Sequence, residues 1–82
     1  MKKLLGILVC SVYLFGMVDV NHASVKQLVS LNGIGEIKAK RIVDYRKQNG
    51  CFKNINHLSN VKGISQKTIL KNKANIKIIS CQ

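Results

Sequence analysis

Two glycines flank one isoleucine in the stretch LNGIG, residues 31–35, which we call turn 1. Glycine has no Cβ atom, so Gly33 and Gly35 allow left-handed backbone angles and let the main chain approach a ligand closely. Successive N–H groups in such a turn, at the start of a helix, form a concave site for an anion such as phosphate. We expect the side chain of Ile34 to point into the core while its N–H faces outward.

The same pattern returns further along the chain, in the stretch VKGIS, residues 61–65, which we call turn 2. A shift that lays Gly33 on Gly63 also lays Ile34 on Ile64, so LVSLNGIGE recurs as LSNVKGISQ. Internal similarity at this period indicates two copies of one supersecondary unit, each too small to bury its apolar face alone. Ser65 replaces the second glycine, and its hydroxyl can donate to a phosphate or cap the following helix. We therefore expect turn 2 to be the weaker site, but intact.

Basic side chains flank both turns. Lys38 and Arg41 fall on one side of the helix predicted after turn 1, and Lys40 falls on the other side. Lys38 is the best candidate for a side-chain contact with phosphate, followed by Arg41. Lys62 and Lys67 flank turn 2. The alternative for each lysine is a solvated surface position, so the glycine turns carry more of the argument than the charges do.

Helical signals surround both turns, which favours a turn between helices over the β-hairpin that Asn-Gly would otherwise suggest. Ser24 and Gln27 match a capping box, which predicts a first helix over residues 24–30. Its apolar face contains Val25, Leu28 and Val29. The second helix is predicted over residues 36–48, the third from an N-cap at Asn54, and the fourth after Ser65. The fold class is therefore all-α, with four short helices in two hairpin pairs; the tail NIKIISCQ is either a short strand or a coil.

The composition favours a polyanionic partner, since 14 basic residues face only 3 acidic ones, a formal charge of +11. The 82 residues allow one domain and leave little room for a large catalytic cleft. The carboxylates are limited to Asp19, Glu36 and Asp44, too few and too scattered for metal-assisted nuclease chemistry. His22 and His57 stand apart and match no zinc spacing. We expect no enzymatic activity, no cofactor and no metal site.

The N-terminus has the pattern of a secretory signal, with Lys2 and Lys3 followed by an uncharged apolar run over residues 4–18. This run spans roughly 22 Å as a helix, short of the ~30 Å hydrocarbon core, so a membrane anchor is the less favoured alternative. We expect residues 1–17 to be the signal and residues 18–80 to be the domain. Loss of Lys2 and Lys3 takes the charge from +11 to +9, and the exported form is expected in the periplasm.

Cys51 and Cys81 would remain after processing and face an oxidising compartment. If joined, they would close a loop of about 30 residues, worth roughly 3 to 4 kcal/mol in the chain-entropy model. Unpaired or intermolecular thiols are the alternative, because the sequence does not fix the distance between the two residues.

The ordered set formed by VNHASVKQL, the Gly-Ile-Gly turn, VDYRKQNG, FKN and KGIS resembles the ComEA-type competence DNA receptors over residues 18–79. The resemblance implies a tandem helix-hairpin-helix domain that binds double-stranded DNA without sequence preference. It implies that the two hairpins hold phosphates of the two strands across the minor groove. It also implies a receptor or ratchet for incoming DNA in natural transformation, with the inner-membrane DNA-uptake machinery as a further partner and oligomerisation on DNA as an open question.

Three positions depart from the pattern of that family, and one of them is His22, which stands where threonine is common. Asn32 stands where a proline is usual before the hairpin, and it tolerates turn angles. Asn72 stands at a position that is usually apolar, which predicts a last helix that is shorter or less well packed. The alternative function is a cationic membrane-interacting or structural protein in which both hairpins serve only as turns.

Overall fold

The computed structural model of the protein describes residues 17–81, so the predicted signal over residues 1–17 lies outside the described residues except for Met17. The prediction of four helices in two hairpin pairs is confirmed. The elements are, in chain order, β1 (Val18–Asp19), α1 (Val25–Leu28), α2 (Glu36–Asn49), the 3₁₀ helix η1 (Ile55–Asn60), α3 (Gln66–Asn72), the 3₁₀ helix η2 (Lys73–Asn75) and β2 (Ile76–Lys77).

The capping box predicted for α1 is present. The Ser24 hydroxyl accepts a hydrogen bond from the Gln27 N–H at 3.2 Å, and the Gln27 side chain accepts one from the Ser24 N–H at 2.9 Å. The helix ends at Leu28, two residues before the predicted Ser30, because the chain already tightens toward turn 1. Val29 therefore leaves the apolar face on which we expected it and is 41% exposed.

The longest helix within residues 17–81 is α2, which begins after turn 1 and ends where Gly50 adopts a φ of +90°, an angle that favours glycine. The third helical element is a 3₁₀ helix rather than an α-helix. Its Asn54 cap is as predicted, with the side chain accepting a hydrogen bond from the His57 N–H at 3.0 Å. Ser65 caps α3 in the same manner through the Thr68 N–H at 3.3 Å.

Both repeats contribute equivalent residues to one apolar core. The pairs Leu31 and Val61, Ile34 and Ile64, and Ala39 and Ile69 are all buried, with 6% exposure or less. The rest of the core comes from the helix faces, the N-terminal segment and the tail: Val20, Ala23, Leu28, Ile42, Phe52, Leu58 and Ile76. Since each unit alone would leave this face in water, the two units hold each other in place by burying it.

The residues before α1 are an integral part of the fold. β1 pairs in parallel with β2, with Val18 opposite Ile76, so the tail is a short strand at this point. The Asn21 side chain is buried and accepts a hydrogen bond from the Phe52 N–H at 2.7 Å. It donates to the carbonyls of Phe52, at 3.0 Å, and Ile79, at 2.9 Å. This one amide joins the N-terminal segment, the middle of the chain and the tail.

Two further ties close the same end of the molecule. Cys51 and Cys81 form a disulfide, with their Cα atoms 6.2 Å apart. The Asp19 carboxylate accepts hydrogen bonds from the backbone N–H groups of Asn21 and Ile79, and it contacts the His22 ring. Burial raises the pKa of Asp19, but these hydrogen bonds to its ionised form outweigh that effect and leave the pKa below its usual value.

Candidate nucleic-acid interface

The two glycine turns share one backbone conformation. Gly33 and Gly63 have φ values of 78° and 93°, in the left-handed region that other residues rarely adopt. Ile34 and Ile64 are each 5% exposed, so both side chains point into the core as the sequence predicts. The buried isoleucine anchors each turn, and the glycine before it keeps the exposed backbone clear of a Cβ atom.

The isoleucine N–H groups do not face outward, and that expectation from sequence is wrong. The Ile34 N–H donates to the Leu31 carbonyl at 3.2 Å, and the Ile64 N–H donates to the Val61 carbonyl at 3.0 Å. These bonds close each turn. Ile34 and Ile64 therefore position the turns, while the donors left for a ligand belong to the residues around them.

Free donors gather where each turn leads into a helix. The N-cap of α2 is Gly35, which has no side chain to satisfy the first helical N–H groups. Within residues 17–81, the N–H groups of Gly35, Glu36, Ile37 and Lys38 donate no hydrogen bond. Together with the positive end of the helix dipole, these groups form a site suited to an anion.

Turn 2 offers a similar but smaller set of donors. The Ser65 hydroxyl accepts from the Thr68 N–H and also lies 3.2 Å from the Thr68 hydroxyl. This cap occupies the donor that corresponds to Lys38 N–H in turn 1. The N–H groups of Ser65, Gln66 and Lys67 have no acceptor among the described residues.

Each turn packs against the helix that follows the other turn. A Cβ atom built on Gly33 would lie 3.8 Å from Thr68 Cγ2, and one built on Gly63 would lie 3.4 Å from Lys38 Cε. Lys38 and Thr68 occupy equivalent positions in the two repeats. This reciprocal contact brings turn 1 and turn 2 together on one surface.

Two of the cations of α2, Lys38 and Arg41, lie beside the turns. Lys38 Nζ lies 3.4 Å from the Gly33 carbonyl, while Lys38 Cε faces Gly63, so this side chain spans the gap between the turns. Arg41 Nη1 lies 3.4 Å from the Lys62 carbonyl, so Arg41 belongs to turn 2 rather than to turn 1 as its place in the chain suggests. Lys62 and Lys67 are exposed beside turn 2.

Lys40 faces another side of α2, as the helical wheel predicts. Its ammonium group lies 3.8 Å from the Glu36 carboxylate, one helical turn earlier. Both side chains are well exposed, so the pair adds little to stability. Lys40 is therefore a useful comparison for Lys38, on the same helix and with the same charge.

Tyr45, which shares the Lys38 side of α2 on a helical wheel, has a structural role. Its ring stacks on Phe52 with centroids 5.2 Å apart, and its hydroxyl accepts a hydrogen bond from the Asn60 side chain at 3.3 Å. His57 packs edge-on against both rings and accepts from the Lys53 N–H at 3.2 Å. Across residues 17–81, no group of His, Cys, Asp and Glu side chains is arranged to hold a metal ion.

Asn72, for which the sequence predicts a last helix that is shorter or less well packed, is a buried amide. This side chain is 1% exposed, and its Oδ1 accepts from the Asn32 N–H at 2.8 Å. Its Nδ2 donates to the carbonyls of Asn32, at 2.8 Å, and Thr68, at 2.9 Å. The last helix is short, as expected, but Asn72 is tightly packed and fully paired. The amide at a usually apolar position was the sequence signal for these hydrogen bonds, because a buried amide requires hydrogen-bond partners.

A family model described as a helix-hairpin-helix motif matches residues 15–77. The chain belongs to the helix-hairpin-helix family. Its two copies of the motif are centred on turn 1 and turn 2, and the glycine turns are the hairpins. None of the helices in the described part of the chain has the length and apolar character needed to cross a membrane.

Similar proteins contain this helix-hairpin-helix domain within longer chains. ComE operon protein 1 of Bacillus subtilis is 36% identical over 62 residues, which cover 76% of this chain and 30% of that protein. An uncharacterized protein of Haemophilus influenzae is 41% identical over 59 residues, covering 71% of this chain and 53% of the other. Kinesin-like protein KIF22 of Xenopus tropicalis is 49% identical over 49 residues, which cover 60% of this chain and 8% of that protein. The domain described here is of the ComEA type.

Proposed function

We propose that this protein binds double-stranded DNA without sequence preference, through the phosphates of both strands. The observation that carries the proposal is the pair of glycine turns on one surface, each followed by helical N–H groups with no acceptor among residues 17–81. Backbone N–H groups bind phosphate oxygens equally well beside any base, so they supply affinity but no sequence readout.

The geometry supports one phosphate at each turn. At turn 1 the donors are mainly backbone N–H groups, from Gly35 onward. At turn 2 the N–H groups of Ser65 and its neighbours are supplemented by Arg41, with Lys62 and Lys67 exposed nearby. Lys38 reaches both turns and would offset phosphate charge from either strand. With both turns on one surface, each turn would hold a phosphate of a different strand, across the minor groove.

The cellular role that fits this activity is that of a periplasmic receptor for incoming DNA in natural transformation, holding or ratcheting the duplex. The support is the similarity to ComE operon protein 1, of which this chain spans 30%. The signal pattern over residues 1–17 and the basic composition are consistent with an exported binding protein rather than an enzyme. The inner-membrane DNA-uptake machinery and further copies along the DNA are the partners that this role would require.

Duplex binding across a range of salt concentrations tests the proposal. With four to six phosphates neutralised, log K should fall with log salt at a slope of about −4 to −5 for duplexes of unrelated sequence. Binding that is insensitive to salt, or restricted to one sequence, would contradict it. Mass spectrometry of the exported protein should show the loss of residues 1–17, and a full-length mass would contradict the signal assignment.

A further inference from the structure

The buried Asn72 amide joins one repeat to the other. It lies at the end of α3, the helix that follows turn 2. It forms hydrogen bonds with both the backbone N–H and the backbone carbonyl of Asn32, the residue directly before Gly33. We propose that Asn72 is a positioning residue that fixes turn 1 relative to turn 2 and thereby favours duplex over single-stranded DNA. The inference rests on the proposed function and adds a cause for strand selectivity.

The hydrogen-bond capacity of Asn72 is used in a way that restricts motion. An amide side chain has two N–H donors, and here they reach the Asn32 and Thr68 carbonyls, while Oδ1 accepts from the Asn32 N–H. Two bonds to one residue fix both the position and the orientation of that segment of backbone. The third bond, to the Thr68 carbonyl, fixes the Asn72 side chain to its own helix. Turn 1 is therefore held rigidly relative to α3.

The equivalent tie at turn 2 is of a different kind. Lys62 corresponds to Asn32 in the repeat, and its carbonyl accepts a single long bond, at 3.4 Å, from the partly exposed Arg41. The Lys62 N–H donates no hydrogen bond to any of the described residues. A long side chain with one marginal bond allows movement, so Asn72 supplies the rigid connection between the two turns.

A rigid connection matters more for a duplex than for a single strand. The two strands of a duplex present phosphates at a fixed separation, and turns that already have that separation lose little freedom on binding. A single strand is flexible and can adapt to either turn alone. Loosening the tie should therefore weaken duplex binding while leaving single-strand binding nearly unchanged.

The test compares dissociation constants for a duplex and for one of its strands, at one salt concentration, using the exported and oxidised protein. Asn72→Leu removes all three hydrogen bonds of this side chain. This variant should weaken duplex binding by about tenfold and single-strand binding by less than about twofold, since a tenfold change corresponds to one or two hydrogen bonds. Asn75→Leu, at an exposed asparagine three residues further on, is the control and should change neither constant.

Equal losses on the duplex and on the single strand would overturn the role of Asn72 without touching the proposed function. Failure of the unsubstituted protein to bind duplex at all would instead contradict the proposed function. Hydrogen exchange on the unsubstituted protein gives an answer even if Asn72→Leu does not fold. The Asn32 N–H should exchange more slowly than the Lys62 N–H, and equal exchange of the two would show that the tie does not hold turn 1.

Discussion

Turn 1 and turn 2 have the same left-handed glycine and the same buried isoleucine, but they differ in the residue that follows. Gly35 leaves the start of α2 uncapped, whereas the Ser65 hydroxyl caps α3 through the Thr68 N–H. One turn therefore keeps a donor that the other uses internally. The difference teaches that a repeat can conserve the shape of a binding loop while changing how many of its donors are available.

Charged side chains offset this difference. Lys38 and Arg41 both lie beside Gly63, and Thr68 is the neighbour that lies beside Gly33. Turn 2, which has fewer free N–H groups, is thus the turn with more positively charged side chains beside it. Turn 2 has fewer free backbone donors than turn 1, in line with the weaker site that the sequence predicts. Lys38 and Arg41, which the sequence assigned to turn 1, both lie beside turn 2, and Lys38 lies beside turn 1 as well.

The largest effect should come from removing the disulfide, which closes the segment from Cys51 to Cys81 around turn 2. Replacing both cysteines by serine should lower the free energy of unfolding by about 3 to 4 kcal/mol, because the unfolded chain regains the entropy of an open loop. Chemical denaturation measures this loss. Hydrogen exchange in the variant should rise more at turn 2 than at turn 1, and a uniform rise would show that the two turns are not separately supported.

The next largest effects should come from glycine-to-alanine substitutions, which should affect the two turns differently. Gly63→Ala places a Cβ atom 3.2 Å from Arg41 Nη1, whereas Gly33→Ala meets only Thr68 at an ordinary 3.8 Å. Both force alanine into left-handed angles, at a cost of about 1 to 2 kcal/mol. The two variants should therefore lose similar amounts of stability. Gly63→Ala should lose more duplex affinity than Gly33→Ala, because its added atom displaces Arg41.

Gly35→Ala is the matched control, because its φ is ordinary at −88° and nothing lies within 4 Å of the added atom. Its loss of stability should stay below about 1 kcal/mol, because it involves no left-handed angle and only the lower preference for alanine than for glycine at an N-cap. If Gly33→Ala and Gly63→Ala changed stability alone, with duplex affinity intact, both hairpins would be simple turns.

The contribution of Lys38 should exceed that of Lys40. Lys38→Ala removes the cation that spans both turns and should weaken duplex binding by about tenfold, as expected for a charged contact. It should also reduce the salt slope by about one. Lys40→Ala breaks only an exposed pair with Glu36 and should have a smaller effect. Equal losses for the two variants would contradict the assignment of Lys38 to the interface.

The smallest effect should come from Ser65→Gly, which gives turn 2 the sequence of turn 1. Glycine at an N-cap costs only a few tenths of a kcal/mol relative to serine, and here it would free the Thr68 N–H. Stability should fall slightly while duplex affinity stays the same or rises. Ser65→Ala provides the comparison, since it removes the cap at a cost of about 1 kcal/mol. A marked loss of affinity in both Ser65→Gly and Ser65→Ala would show that the hydroxyl itself contacts DNA.

Local signals in the sequence predicted most of the fold. The repeated Gly-Ile pair indicated two equivalent units, and the caps at Ser24 and Asn54 are where their side chains predict them. These features depend on residues within a few positions of one another, so one sequence is enough to recognise them. The end of α1 was misjudged because Val29 continues the apolar pattern although the chain has already turned.

Contacts between the repeats could not be predicted in the same way. The approach of Arg41 to Lys62 and the bonds from Asn72 to Asn32 join residues that are far apart in the chain. Helical periodicity places a side chain on a face of its own helix but does not say which turn that face meets. The bonded state of the Ile34 N–H was missed for a related reason, since it depends on how tightly the turn closes.

The most direct test of the central claim is to follow the backbone N–H signals of the exported protein by NMR while duplex DNA is added. If the two hairpins are the binding surface, the largest shifts should fall on residues 33–38 and 63–67, at both turns and in parallel. The exposed Lys26 and Lys77, outside these segments, should change little. Shifts spread evenly over the lysines, or confined to one turn, would contradict a DNA interface built from paired hairpin backbones.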